Sequence, residues 1–163
     1  MSAGCYVLAH FSDLEKLSLA AQELQTYADV TRWDAVEGHV QLVMNLRTTA
    51  NGIPSGIMTL PGVSDLYVYE KLSAVDVKDR DASMVYAYVF IEIEQGKRQI
   101  VADALKAAPS VFSVEETEGG CDIVAIVQAD NFGALDRFVK EQINPIEGIL
   151  RIKYNRVIDL LGL

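Results

Sequence analysis

Cysteine and histidine are scarce in this chain of 163 residues, which contains two of each. Cys5 and Cys121 are too few for a disulfide framework or for a cysteine-rich zinc site. We therefore expect free thiols in a reducing compartment. The sequence also lacks the motifs of zinc proteases and of hydrolases with a serine nucleophile. It predicts no catalytic residues, no metal site and no cofactor.

Positive charge is also scarce, with 14 Lys and Arg against 23 Asp and Glu and a net charge of −9. A nucleic-acid surface needs a basic face, so this balance argues against DNA binding, although Arg151, Lys153 and Arg156 form a local basic cluster. No stretch approaches the ~20 apolar residues of a membrane helix. The N-terminus lacks the basic start and apolar run of a signal peptide. We expect a cytoplasmic protein that does not contact a membrane.

The chain does contain an internal repeat. Matching residues lie 81 to 86 positions apart: Tyr6 and Tyr88, Gly38 and Gly119, and Gly62 and Gly148. Such self-similarity indicates two copies of one small unit. We place a degenerate copy at 1–75, a linker at 76–83 and a better-preserved copy at 84–163. Two equivalent units can pack against each other as a pseudo-dimer.

The second copy has the order β-α-β-β-α-β, which is typical of a ferredoxin-like unit. Strands are predicted over 84–94, 111–118, 121–129 and from 149, with helices over 97–108 and after Asp130, which we expect to be an N-cap. The apolar stripe predicted for the first of these helices consists of Ile100, Val101, Ala104, Leu105 and Ala108.

The first copy shows the same order less cleanly. Strands are predicted over 6–11, 30–36, 40–46 and 63–72. A capping-box sequence from Ser12 to Glu15 predicts the start of a helix, whose core face would be Leu14, Leu17, Ala21 and Leu24. Glycines and a proline limit the second helix to about two turns near Ile57. We predict an α+β fold of two ferredoxin-like βαββαβ repeats forming a pseudo-dimer with facing antiparallel sheets, the dimeric α/β barrel type.

The first strand of each copy offers two features that permit more than one interpretation. His10 and Glu92 lie at equivalent positions, and such a pair can transfer protons or help to hold a metal; we favour polar positions at the rim of a sheet. The apolar side chains of these strands form either an aromatic binding wall or, as we favour, the core between two sheets: Tyr6, Leu8, Tyr86, Tyr88 and Phe90.

Five segments of the second copy resemble the effector-binding domain of Lrp/AsnC regulators, also called the RAM domain: 87–91, 96–98, 111–114, 119–124 and 146–151. The resemblance implies paired sheets, dimerisation through the sheet faces, no enzymatic activity, and a small effector, typically an amino acid. It also implies a homo-oligomer, or association with full-length regulators of the family. The helix-turn-helix of that family has no counterpart here, so DNA binding is not carried over.

The resemblance assigns effector binding to one turn of the second copy: Gly119, Gly120, Cys121 and Asp122. A glycine turn lets backbone N–H groups approach a carboxylate, and an aspartate accepts hydrogen bonds from an ammonium group. Cys121 replaces the aromatic residue that is usual in the family. The first copy has Gln41 in place of Asp122, so we expect binding in the second copy.

Three alternatives stay open at the level of sequence. The glycines of this turn can serve only to reverse the chain, with Asp122 as a cap. The protein can be an enzyme of the dimeric α/β barrel type, with a cavity between the sheets near His10 and Glu92. It can also be a structural interaction module without a ligand.

Overall fold

The computed structural model describes residues 3–73 and 78–158. The chain divides into two compact units, the first reaching to Lys71 and the second being Leu72–Val157. Each unit has the order β-α-β-β-α-β, so the predicted α+β class with two ferredoxin-like repeats is confirmed. The first two residues of the predicted linker at 76–83 lie outside the described residues.

In the first unit the four strands are antiparallel and lie side by side in the order β2-β3-β1-β4. The elements are β1 (Cys5–Phe11), α1 (Leu17–Leu24), β2 (Val30–Glu37), β3 (Leu42–Leu46), α2 (Ser55–Met58) and β4 (Val63–Lys71). The core of the unit consists of buried apolar side chains from the sheet and its helices, among them Val7, Leu24, Met44 and Ile57.

The start of the first helix differs from the prediction. Leu14 lies in a 3₁₀ turn that precedes α1 and is 62% exposed, so it is not part of the core face. Asp13, and not Ser12, caps this 3₁₀ turn, because its carboxylate accepts a hydrogen bond from the Glu15 N–H at 3.1 Å. The tight turn of the 3₁₀ segment shifts the helical periodicity, which explains why a stripe drawn with regular α-helical spacing placed Leu14 inside.

The second helix of this unit is only four residues long, shorter than the two turns predicted. Gly56 allows the close packing there, since a Cβ on this residue would lie 1.9 Å from the Tyr27 hydroxyl.

The second unit repeats the strand order, as β6-β7-β5-β8, again antiparallel throughout. Its elements are β5 (Val85–Ile93), α3 (Arg98–Ala107), β6 (Val111–Glu118), β7 (Ile123–Ala129), α4 (Phe132–Phe138) and β8 (Ile149–Ile158). A π-helical turn, Val139–Ile143, follows α4 directly. The helices cover one face of the sheet, where Val89, Leu105, Ile123 and Leu135 form the centre of the core.

Two predictions for the helices of this unit are wrong in detail. Asn131, and not Asp130, caps α4, with its side-chain oxygen accepting from the Ala134 N–H at 2.8 Å. Ile100 is 47% exposed, because the buried face of α3 is centred on Val101 and Leu105. Ile100 therefore lies beside the buried stripe of α3, and the prediction that it is part of the stripe is wrong.

The glycine that precedes the last strand shows the repeat in three dimensions. Gly62 and Gly148 have φ of +84° and +99°, and a Cβ on either would lie 2.6 Å from the Cβ of Lys16 or Lys97, respectively. The same contact is thus present in both units. No helix among the described residues is long and apolar enough to cross a membrane.

Candidate functional site

The candidate site begins at the tight turn between β6 and β7. Gly119 and Gly120 form it with φ of +108° and +129°, a region that other residues rarely adopt. Both glycines are exposed. The sequence therefore places two residues without side chains at a position where the backbone is open to a ligand.

Asp122 ties this turn to the neighbouring strand and helix. One carboxylate oxygen accepts a hydrogen bond from the Ile93 N–H at 2.8 Å, at the end of β5. The other accepts from the Arg98 guanidinium at 3.1 Å, in the first turn of α3. The side chain keeps 34% exposure, so its carboxylate is anchored inside the unit and is still reached by solvent.

Arg98 is a residue of the candidate site that the sequence interpretation missed. Besides Asp122 it contacts the Thr117 carbonyl oxygen at 3.3 Å, and its side chain is 36% exposed. Its nearest other carboxylate is Glu116, at 3.9 Å. Arg98 belongs to a segment that carried the family resemblance, and its place just after Gly96, in the first turn of a helix, was the available signal. The site thus presents a cation and an anion side by side.

Cys121 occupies a different environment from its neighbours in the turn. It is 4% exposed, and its thiol donates to the Ile123 carbonyl oxygen at 3.0 Å. Burial raises the pKa of the Cys121 thiol to about 11, because a thiolate is poorly solvated there. The thiol is part of the packed interior of the hairpin, whereas the other three residues of the predicted site lie at its surface.

The first unit reproduces the anchoring bond with an amide. The Gln41 side-chain oxygen accepts from the Phe11 N–H at 2.7 Å, as Asp122 does from Ile93. The amide nitrogen donates back to the Gly38 carbonyl oxygen at 3.4 Å. Leu17, which follows Lys16 as Arg98 follows Lys97, is buried in the core. The turn of the first unit therefore has the hydrogen bond to the backbone of the first strand but has no counterpart of the ion pair between Arg98 and Asp122.

His10 and Glu92 each have a partner directly across from them on the last strand of their unit. The His10 ring nitrogen lies 2.9 Å from the Ser64 hydroxyl and 3.9 Å from a carboxylate oxygen of Asp65. Glu92 forms an ion pair with Arg151, which holds the pKa of Glu92 below its usual value. Both side chains thus make polar contacts to the neighbouring strand, and their interpretation as rim positions of a sheet stays a prediction. No group of three metal-ligating side chains occurs in the described part of the chain.

Solved structures resemble the chain over different lengths. A siroheme decarboxylase, NirDL, in complex with an iron-uroporphyrin III analogue, gives a TM-score of 0.71 at 9% identity, covering 95% of this chain and 71% of its own. An anthrone oxidase-like protein gives 0.53 at 14% identity, covering 98% and 94%. A transcriptional regulator from Neisseria meningitidis, in complex with L-Met, gives 0.44 at 19% identity, covering 47% and 51%. At these identities the first two likenesses show the fold alone.

No curated protein matches the sequence. Residues 86–161 match the family model described as the Lrp/AsnC ligand binding domain. This segment contains the whole β-α-β-β-α-β order of the second unit, including the two-glycine turn and the Arg98–Asp122 pair. The similarity to the Lrp/AsnC ligand binding domain family is thus shown for the second repeat of the chain.

Proposed function

We propose that the second repeat binds a small effector with both an ammonium and a carboxylate group, such as an amino acid or a related metabolite, beside the turn Gly119–Asp122. One observation carries this proposal: the partly exposed ion pair of Arg98 and Asp122 stands next to the glycine turn. It does so within the segment that matches a ligand binding domain.

The chemistry of the pair suits a ligand with two opposite charges. Each oxygen of Asp122 has one bond within the unit, and a carboxylate has about four acceptor positions. An ammonium group can therefore bind without breaking the bond from Ile93. The guanidinium of Arg98 and the exposed backbone of Gly119 and Gly120 are groups that bind a carboxylate.

The same proposal includes a regulatory role without catalysis and without direct contact to DNA. Binding to duplex DNA depends on clustered cations that neutralise phosphates. Two cations of the basic cluster are already paired, Arg151 with Glu92 and Arg156 with Asp136. We expect the protein to pass through a DNA column at ~150 mM salt, where non-specific contacts are weakened. Retention under that condition would contradict this part of the proposal.

A thermal-shift screen against the amino acids and common metabolites tests effector binding directly. A ligand at 100 times its dissociation constant stabilises a protein by about 2.7 kcal/mol, which raises the unfolding midpoint by several degrees for a small domain. The proposal requires at least one zwitterionic hit. A screen in which no zwitterion stabilises the protein at millimolar concentration would contradict it. Gel filtration of the protein bound to such a hit then tests the proposed partners. It reports the oligomeric state of the protein alone, and complex formation when a full-length regulator of the family is added.

A further inference from the structure

A short segment without regular secondary structure lies over aromatic side chains of the second unit. The Arg80 guanidinium carbon is 5.2 Å from the Tyr86 ring centroid and 5.9 Å from that of Tyr88. A guanidinium nitrogen donates to the Tyr88 hydroxyl at 3.2 Å. Arg80 thus makes both a cation–π contact and a hydrogen bond with the two tyrosines.

Neighbouring residues hold the segment in this position. The Asp81 N–H donates to the Tyr86 hydroxyl at 2.7 Å. The Lys78 ammonium donates to the Phe112 carbonyl oxygen at 3.2 Å and lies 5.8 Å from the ring centroid of Phe112. That ring packs edge-on against Tyr86, with centroids 5.3 Å apart. The aromatic surface is therefore continuous and is contacted by two cations from the same segment.

The two tyrosines that contact the cation are buried, and Arg80 itself is half-buried. Tyr86 is 6% exposed and Tyr88 is 1% exposed. Cation–π attraction is strongest where the cation has lost its water. A guanidinium group fits such a site better than an ammonium group, because it is planar and can stack on a ring while it donates hydrogen bonds at its edge.

We propose that Tyr86 and Tyr88 form a second binding site, specific for a guanidinium group, and that Arg80 of the same chain occupies it as a tethered competitor. The ligand class is a small cationic compound with a guanidinium group. An occupant attached by a short segment acts at a high effective concentration, so the site is masked until the segment moves away.

This site is separate from the turn that the proposed effector uses. Tyr86 lies opposite Gln128 near the end of β7, whereas Asp122 lies before the start of that strand and bonds to Ile91. The inference therefore does not depend on the proposed function, and either can fail without the other.

The test removes the Arg80 guanidinium by mutation and supplies a free guanidinium compound in its place. The unfolding midpoint of Arg80→Ala is measured by circular dichroism against ethylguanidinium at millimolar concentration. Ethylurea, a neutral compound of the same shape, and ethylammonium serve as ligand controls. Lys78→Ala is the matched protein control, because it removes a cation from the same segment and leaves Arg80 in place.

The expected result is saturable stabilisation of Arg80→Ala by ethylguanidinium, with at least about tenfold weaker responses from the unaltered protein and from Lys78→Ala, where the tethered group competes. The added change Tyr88→Leu should abolish the response. The proposal is overturned by equal responses to ethylurea, or by equal responses of Arg80→Ala and Lys78→Ala. If Arg80→Ala unfolds without a cooperative transition, the titration is made on Arg80→Gln, which removes the tethered cation and keeps a long side chain, and a missing selective response there also overturns it.

Discussion

At the scale of residues, Asp122 and Gln41 accept the same backbone hydrogen bond with side chains of different charge. Each bond comes from the N–H near the end of the first strand of the unit, from Ile93 or Phe11. The fold requires a side-chain acceptor for this backbone N–H, because both copies provide one. The negative charge is therefore the part of Asp122 that the fold does not require, and it is present only beside Arg98.

Asp122→Asn separates the two roles of this side chain. The variant should stay folded, because an amide oxygen accepts the same bond in the first repeat. It should bind a zwitterionic effector more weakly by roughly 1–3 kcal/mol, the range for a lost hydrogen bond to a charged group. Calorimetry with a hit from the screen measures the difference. Unchanged affinity would show that the motif serves only as a turn.

Gln41→Glu is the matched control for that measurement. It adds a carboxylate to the first turn, but Leu17 stands where the second repeat has Arg98. The variant should therefore not gain a second binding event in the same titration. A second binding event would mean that a carboxylate at this position is sufficient for effector binding without an arginine beside it.

The cysteines should be unreactive in the folded protein. Both are buried, and burial raises the pKa of each thiol to about 11, while only the thiolate reacts with alkylating reagents. We expect little labelling by iodoacetamide at pH 8 and complete labelling of both after denaturation. Fast native labelling would show that the hairpin or β1 opens more readily than its burial indicates.

At the scale of elements, the glycine before the last strand combines a left-handed backbone with a tight contact. Gly148→Ala should destabilise the protein through backbone strain of about 1–3 kcal/mol and through a clash with Lys97, whose Cβ would lie 2.6 Å from the new methyl group. Gly96→Ala is the control, because Gly96 has φ of +85° but a Cβ added there would meet no atom within 4 Å. Urea unfolding should show the larger loss for Gly148→Ala, and equal losses would exclude the contact as a cause.

The attachment of α4 to β8 should depend on pH. Asp136 accepts a hydrogen bond from the Tyr154 hydroxyl at 2.6 Å and pairs with Arg156, and these contacts hold the pKa of Asp136 below its usual value. A group with a lowered folded-state pKa contributes stability above its unfolded value, about 3.9, and loses it as pH falls through the folded value. Asp136→Asn should therefore be less stable than the unaltered protein at pH 7. The difference in urea unfolding should shrink as the pH falls below the unfolded value of about 3.9, and a constant difference would contradict the assignment.

The order of the elements could be predicted from sequence, because period-2 and period-3.6 patterns are local signals. Helix starts were less predictable. Asp13 and Asn131 each stand one residue beyond the predicted cap, and neighbouring polar residues compete for that role with little difference in intrinsic preference. Arg98 was missed as a site residue because its partner Asp122 is distant in sequence and meets it only after the hairpin has paired with β5.

At the scale of the whole molecule, the two repeats predict a stoichiometry of one effector for each chain. Only the second repeat has the charge pair and two glycines in its turn, whereas the first has Gly38 followed by His39. Calorimetry with an identified effector should give one site per chain. Two equal sites would mean that neither the charge pair nor the second glycine is needed.

Carrying both copies on one polypeptide has a consequence for how the Gln41 and Asp122 positions can change. In a symmetric assembly of identical chains, one altered codon changes every copy of a site, so a harmful substitution and a useful one are always made together. Here each copy has its own codon. The first turn can keep its backbone cap and lose its charge while the second keeps both. A repeat carried on one chain thus has two positions that can mutate independently, so a change at one of them leaves the other intact.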